Sequence, residues 1–446
     1  MIFPTPIIFM QEPLRPQLHF TAPKGWLNDP NGLVYRNGEY HLFYQHNPFG
    51  TQWGNMTWGH AVSKDLLHWR DLPNAIEPDA LGTIFSGSAV IDRENTSGLG
   101  SKSTPAMVCF YTAAGGTSEA SKGQPFTQCL AWSQDGTKFT KLPANPIVGH
   151  IADQNRDPKV AWDDEHKKWV MVLYLTADKF AFLGSKNLRK WERLSELQIP
   201  NGNECPDFFQ LTLGGKKKWV FWTAQGKYMI GTFDGDKFHP ETPVIDSHFG
   251  NTGYAAQTYS NIPRGRVVQI AWMNNAEFPG CVWNQQMALP NELKLKATAA
   301  GPRLAIMPVG EVRSLRKGQV GRHGTNYEVP SGLMDIEGSW RVPKSGSLIC
   351  NVNGTDIKLD AAKGTLSALD KSASVDLSGG KFNLRIIVDR TSMEIYAQDG
   401  LVSMSLFALP RPVAKGAELS SEGQWDGQVK VYELGSVWGP NQRTER

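Results

Sequence analysis

The sequence predicts an all-β chain: a five-bladed β-propeller over residues 14–300, a linker over 301–320 and a β-sandwich over 321–437. Three observations lead there. Strongly apolar strands at residues 40–45, 106–112, 169–175, 219–223 and 267–272 recur at spacings of roughly 50 to 65 residues, the mark of a repeat architecture. Four of them lead into a second signature, a strand, a small or polar turn and an aromatic, at residues 61–69, 131–139, 183–191 and 231–238. Past about residue 300 the repeat stops, and short alternating strands with glycine turns take over, as in a sandwich.

Residues 14–21 read as an extended lead-in segment. The first hairpin follows, from Leu33-Val34-Tyr35 through the turn at Asn37-Gly38 into the strand at 40–45. Just ahead of it Asp29 stands between Asn28 and Pro30. The arrangement returns at Arg156-Asp157-Pro158, ahead of a hairpin ending in residues 168–174, and at Glu204-Cys205-Pro206-Asp207, ahead of one ending in residues 219–222. In each, a nearby proline restricts the backbone and discourages helix. The innermost strands start near Asp29, Ser86, Asp157, Glu204 and Tyr254, and in a propeller such strands line the central channel. Asp29, Asp157 and Glu204 are therefore expected to meet at its mouth. Asp-Pro and Asn-Asp are ordinary turn formers; their recurrence at one point of the repeat favours chemistry over turn formation.

In the linker, residues 311–316 suit a short helix. The sandwich strands are residues 382–388, 392–397 and 402–407, and Asp389 and Glu394, in strand context, are expected to be structural.

Composition narrows the function. A net charge of +3, from 46 basic and 43 acidic residues, supplies no field suited to nucleic acid or an anionic membrane, so neither is an expected partner. Five widely spaced cysteines form no C-x-x-C pair, and the ten histidines show no H-E-x-x-H, so no metal and no cofactor is expected. No G-x-G-x-x-G or phosphate-binding loop follows a strand, and Ser86-Gly87-Ser88 is not a nucleophile elbow. Residues 1–10 are apolar but too short to span a bilayer; they suit the remnant of a trimmed export signal.

Convergent carboxyls suit glycoside hydrolysis, which needs one protonated acid and one carboxylate. An inward-pointing Arg156 is expected to keep Asp157 ionised, while Glu204, beside Cys205 and Phe208, is expected to be partly desolvated and protonated.

At these residues the chain resembles glycoside hydrolase family 32, the β-fructosidases that include invertases, inulinases and levanases. The resemblance rests on W-L-N-D-P-N-G at residues 26–32, Phe85-Ser86-Gly87-Ser88, Arg156-Asp157-Pro158, Glu204-Cys205-Pro206-Asp207, residues 53–61 and residues 388–396. It implies the propeller and sandwich, with Asp29 as nucleophile, Asp157 as transition-state stabiliser and Glu204 as acid/base. Asn28, Gln45, Trp53, Phe85, Ser86 and Arg156 would contact the fructosyl ring. The implied activity is retaining hydrolysis of terminal β-fructosyl linkages in fructan or sucrose, in a secreted or periplasmic setting. A fructosyltransferase, an invertase and a non-catalytic binding module are the competing readings, and the sequence does not fix the oligomeric state. Two departures fall on the leaving-group side: Asn203 precedes Glu204 where the family usually carries Trp, and residues 274–278 depart from the aromatic-rich pattern expected in the fifth blade.

Overall fold

Hairpin follows hairpin in the computed structural model, which describes residues 12–408 and 415–438. The chain is all-β, 54% strand and 4% helical. Residues 1–10, read above as a trimmed signal, lie outside the described part. Among the described residues no helix is long and apolar enough to cross a membrane.

Five largely antiparallel sheets succeed one another up to Pro308. Their first strands are Gly25–Arg36, Thr83–Asp92, Arg156–Asp163, Asp207–Leu213 and Tyr254–Thr258. These strands pack against one another in chain order, and the fifth returns against the first, closing a ring. Apolar side chains fill each gap: Phe43 and Trp58 with Met107, Phe110 with Met171, Phe182 with Phe208, Val220 with Leu293, and Leu33 and Leu42 with Val268 and Ile270. Burying each such side chain contributes about 1.5–3 kcal/mol.

Polar ties lock the ring. Gly87 donates its N–H to Asn31 Oδ1 at 3.2 Å, and Ser88 Oγ donates to the Pro158 carbonyl while accepting the Val160 N–H. Lys159 Nζ reaches Asp207 Oδ1 and the Thr258 carbonyl, each at 2.8 Å, joining the third, fourth and fifth sheets. The Ser260 N–H donates to the Leu33 carbonyl and Tyr35 returns the bond, so the fifth sheet meets the first. A two-residue strand, Trp283–Asn284, also adds to the first sheet in parallel with Gly25 and Trp26.

The second sequence signature is a side-chain-capped turn. Asp65, Asp135, Asn187 and Asp234 each accept backbone N–H groups from residues two and three positions on, which swings the chain into the fourth strand of its sheet. One expected boundary shifts. Residues 301–308, read as linker, form the strand Gly301–Pro308, paired along its length with Asn291–Thr298. Leu304 and Ile306 pack with Leu293 against the fourth sheet, which is why the segment is strand. The short helix is present, as the 3-10 segment Gly310–Leu315.

The rest of the described chain makes two six-stranded sheets sharing one apolar core, with Ile336, Phe382 and Ile395 from one and Leu348, Ile357 and Leu366 from the other. Asp389 and Glu394 join this part to the lead-in segment. His19 Nδ1 lies 2.7 Å from Asp389 Oδ2, and His19 Nε2 lies 3.0 Å from Glu394 Oε1; all three side chains are buried. The Gln17 and Leu18 N–H groups also donate to Asp389, and the Leu289 N–H donates to Glu394. Burial alone would lower the His19 pKa, but the two carboxylates outweigh it and carry it up to about 9.

Removing one member strands buried charge, so His19→Ala should lower unfolding stability by about 3–5 kcal/mol. Because the folded-state pKa is raised, the stabilisation is full below His19's ordinary value of 6.5 and is lost as pH rises through about 9. Denaturation of the variant and the unaltered protein at pH 6 and pH 10 checks this: the gap between them should narrow at the higher pH.

Candidate active site

An irregularity at the start of each first strand turns a side chain toward the ring's mouth. Asp29 sits within Gly25–Arg36, where pairing slips between Leu27 and Pro30. Ser86 sits in the slip between Phe85 and Gly87. Asp157, Cys205 and Ala255 take left-handed backbone, with φ of 64°, 47° and 50°. Bulges and left-handed residues re-aim side chains at a backbone cost of order 1–3 kcal/mol. Gly87 permits one of these turns, since a Cβ there would lie 1.9 Å from the Phe110 carbonyl oxygen. The acids were expected just ahead of their strands. Only Glu204 is; Asp29 is the fifth residue of the extended first strand Gly25–Arg36, and Asp157 is the second residue of Arg156–Asp163.

The three acids converge on one thiol and one guanidinium. Asp29 Oδ2 accepts the Ser86 hydroxyl at 2.6 Å, and Asp29 Oδ1 accepts Asn28 Nδ2 at 3.2 Å. Cys205 Sγ lies 3.4 Å from both Asp29 Oδ2 and Asp157 Oδ2, and the Cys205 N–H donates to Asp157 at 3.1 Å. Thr112 Oγ1 accepts the Asp157 N–H. Glu204 Oε2 accepts Arg156 Nε at 2.9 Å and a second guanidinium N–H, and Glu204 Oε1 accepts the Tyr254 hydroxyl at 2.8 Å.

Electrostatics follow from this crowding. Burial lifts the Asp29 carboxyl above its usual range, with the Ser86 hydrogen bond working against it. Burial also lifts Asp157, to about 7; Arg156 opposes the shift, while the charges of Glu204 and Asp29 reinforce it. The Cys205 thiol is pushed up by burial and by the surrounding carboxyls, so it stays a neutral donor.

Arg156 does not pair chiefly with Asp157 as expected. Arg156 gives its hydrogen bonds to Glu204 and stays 3.7 Å from Asp157. The reason is local: the left-handed turn at Asp157 aims that carboxyl at Cys205, while the guanidinium lies 4.6 Å over the Tyr174 ring and donates to the Gln154 carbonyl.

The other sequence candidates gather around this cluster. Asn28 also accepts Trp26 Nε1, and Gln45, buried, donates to the Ile84 carbonyl two residues before Ser86. Trp53 is 56% exposed, with its ring edge-on to Phe85 at 5.9 Å, and Phe85 in turn meets Phe126. Asn203 donates to the Tyr254 hydroxyl. Of residues 276–278, Glu277 is exposed. Ala276 and Phe278 are buried, and Phe278 packs on Trp283 and Phe407.

Sequence reasoning passed over Cys205, Tyr254, Trp26 and Trp272, the last of which meets both Trp26 and Tyr254 at 6.2 Å. The signal for Tyr254 was available, because it opens the fifth inner strand at the level where other repeats carry their acids.

Residues 19–308 match the family model described as glycosyl hydrolases family 32 N-terminal domain, and residues 343–438 match glycosyl hydrolases family 32 C terminal. A levanase of Bacillus subtilis (strain 168) is 35% identical, the match covering 97% of this chain and 72% of the relative. An extracellular exo-inulinase of Aspergillus awamori is 31% identical, covering 96% of each. The solved β-fructofuranosidase of Schwanniomyces occidentalis, complexed with fructosyl-erythritol, superposes with a TM-score of 0.82 at 27% identity, over 95% of this chain and 98% of that one.

Asp29→Asn removes one like charge from beside Asp157, so the Asp157 carboxyl should titrate below its present value of about 7. Infrared carboxyl bands followed through a pH titration of the two proteins check the direction.

Proposed function

Because this chain belongs to glycosyl hydrolase family 32 and is a glycoside hydrolase of the fructofuranosidase kind, we propose that it is a retaining, exo-acting β-fructosidase that frees terminal fructose from levan or inulin. In this reading the five sheets are the blades of a propeller, the sandwich follows it, and substrate enters along the ring axis.

Asp29 attacks the anomeric carbon while Glu204 passes a proton to the departing glycosidic oxygen. A water then gives its proton to Glu204 and attacks from the face that the leaving group vacated, displacing Asp29 from the opposite one. Two inversions leave the β configuration. Asp157 holds ring hydroxyls and stabilises the charge that develops in the transition state. Asn28, Gln45, Ser86 and Arg156 position the fructosyl ring, and Trp53 and Phe85 wall it.

One observation carries the assignment of roles. Asp29 and Glu204 sit in different surroundings, the first held by the Ser86 hydroxyl and the second by Arg156 and Tyr254. Unequal environments are what let two carboxyls serve as nucleophile and as acid. Exo action draws support from the loop after Asn47, whose side chain accepts the Phe49 N–H and donates to the Gln52 carbonyl, so that the loop stands as a fixed wall. A polymeric substrate suits an enzyme working outside the cytoplasm, and the Aspergillus relative is named as extracellular.

Asp29→Asn should abolish turnover without unfolding the protein. Glu204→Gln should lose roughly a hundredfold to ten-thousandfold, and less on donors with activated leaving groups. Steady-state rates on sucrose and on an aryl β-fructofuranoside test the split, and equal losses on both would remove Glu204 from the acid role.

A time course on levan and inulin should show fructose as the sole early product while long chains persist. Early short oligosaccharides would mean endo attack, and turnover of sucrose alone would make the enzyme an invertase.

A further inference from the structure

The chain enters the fifth of the first strands through residues 247–253, a stretch without regular strand or helix between Ile245–Asp246 and Tyr254–Thr258. This stretch is fastened to Val402–Phe407, the outermost strand of one C-terminal sheet. The Phe249 and Thr252 N–H groups donate to the Ser403 and Ser405 carbonyls, and Ser403 Oγ donates to the Ser247 carbonyl. Gly250 lies so close that a Cβ there would stand 1.9 Å from the Ser405 carbonyl oxygen. Asn251 completes the seam with its side chain: Oδ1 accepts the Phe407 N–H at 2.9 Å, and Nδ2 donates to the Phe407 carbonyl at 3.1 Å. One side chain thereby makes both of the bonds that a neighbouring strand would offer there.

The same stretch is tied to the ring. Asn275 Nδ2 donates to the Asn251 carbonyl, and Asn274 Oδ1 accepts the Gly253 N–H at 3.2 Å. Both asparagines belong to the segment that departs from the expected aromatic-rich pattern. Tyr254 follows at once, and its hydroxyl, accepting from Asn203, donates to Glu204 Oε1 at 2.8 Å. A backbone route runs beside it, since the Ala255 N–H donates to the Ala224 carbonyl and the Ala224 N–H to the Glu204 carbonyl. The edge of the C-terminal sheet thus reaches a phenol that touches Glu204. A contact to a reacting carboxyl counts only while it is held in place, because a displacement of about 1 Å can cost on the order of a hundredfold in rate.

We propose that Asn251 is a positioning residue for the proton donor. By fastening the stretch ahead of Tyr254 to the C-terminal sheet, it keeps the phenol against Glu204, and the C-terminal part of the chain thereby sets the rate at which the glycosidic oxygen is protonated. The proposal rests on the reading of Glu204 as the acid.

The test is a double-mutant cycle of Asn251→Ala and Tyr254→Phe, assayed on sucrose and on an aryl β-fructofuranoside, whose leaving group needs little protonation. Asn251→Ala should lower kcat/KM on sucrose about tenfold, and on the aryl donor less than about twofold. Competitive inhibition by fructose should stay within about twofold, because the groups around the fructosyl ring keep their places. In the Tyr254→Phe background the same change should cost less than about twofold on sucrose, since the hydroxyl through which it acts is already gone. Asn251→Asp can still accept the Phe407 N–H and should fall between Asn251→Ala and the unaltered protein; if Asn251→Ala does not fold, Asn251→Asp takes its place in the cycle. No loss on sucrose, equal losses on the two donors, or a loss on sucrose that is undiminished without the hydroxyl would each overturn the proposal. Equal losses on both donors for Glu204→Gln would remove the acid reading itself, a result distinct from all three.

Discussion

Three carboxyl groups crowded about one buried thiol, two of them beside a single guanidinium, repel one another, and the rest of the molecule is arranged to hold them against that repulsion. Arg156 offsets part of the charge, and the buried thiol of Cys205, kept neutral by the same crowding, fills the space between Asp29 and Asp157 without adding to it. No single hairpin could do this. Each acid comes from a different sheet, so their approach depends on the ring of first strands being closed.

That closure is itself partly ionic. Lys159 and Asp207 lie two and three residues beyond Asp157 and Glu204, and both are buried. Their contact, with Thr258 completing it, fixes the depth at which the two acids emerge. A buried pair of this kind adds little net stability compared with an apolar one, because desolvation offsets the attraction. Its value here lies in register: a strand that slipped by one residue would leave a charge unpaired in the core. The strained backbone at Asp157 and Cys205 is kept by the same surroundings.

Much of this was legible in the sequence because it depends on local rules. The hairpins announced themselves through apolar runs and turn residues, and the acids through their recurrence beside proline. The four capped turns follow from Asp or Asn at one offset. What the sequence hid depends on groups that meet only in the folded chain. The direction of Arg156 is set by Tyr174 and by the turn at Asp157, neither of which a neighbour-by-neighbour reading weighs. Residues 276–278 depart from the aromatic-rich pattern expected there, yet their one aromatic, Phe278, is held by Trp283 and Phe407, and only Glu277 is exposed. The strand Gly301–Pro308 was concealed by the glycine and prolines at its ends and by a central run, Leu304-Ala305-Ile306, that is apolar and buried throughout rather than alternating.

The contact of His19 with Asp389 and Glu394 bears on how the chain is made. A ribosome releases residue 19 long before residues 389 and 394, and until they arrive the imidazole has neither of the carboxylates that it faces when buried. The first sheet waits as well, since Trp283 and Asn284 add to its edge. Contacts between segments so far apart in sequence are slow to form. The early sheets therefore have to persist as an unfinished ring during synthesis, with apolar surface exposed, and the last part of the chain acts as the clasp that completes them.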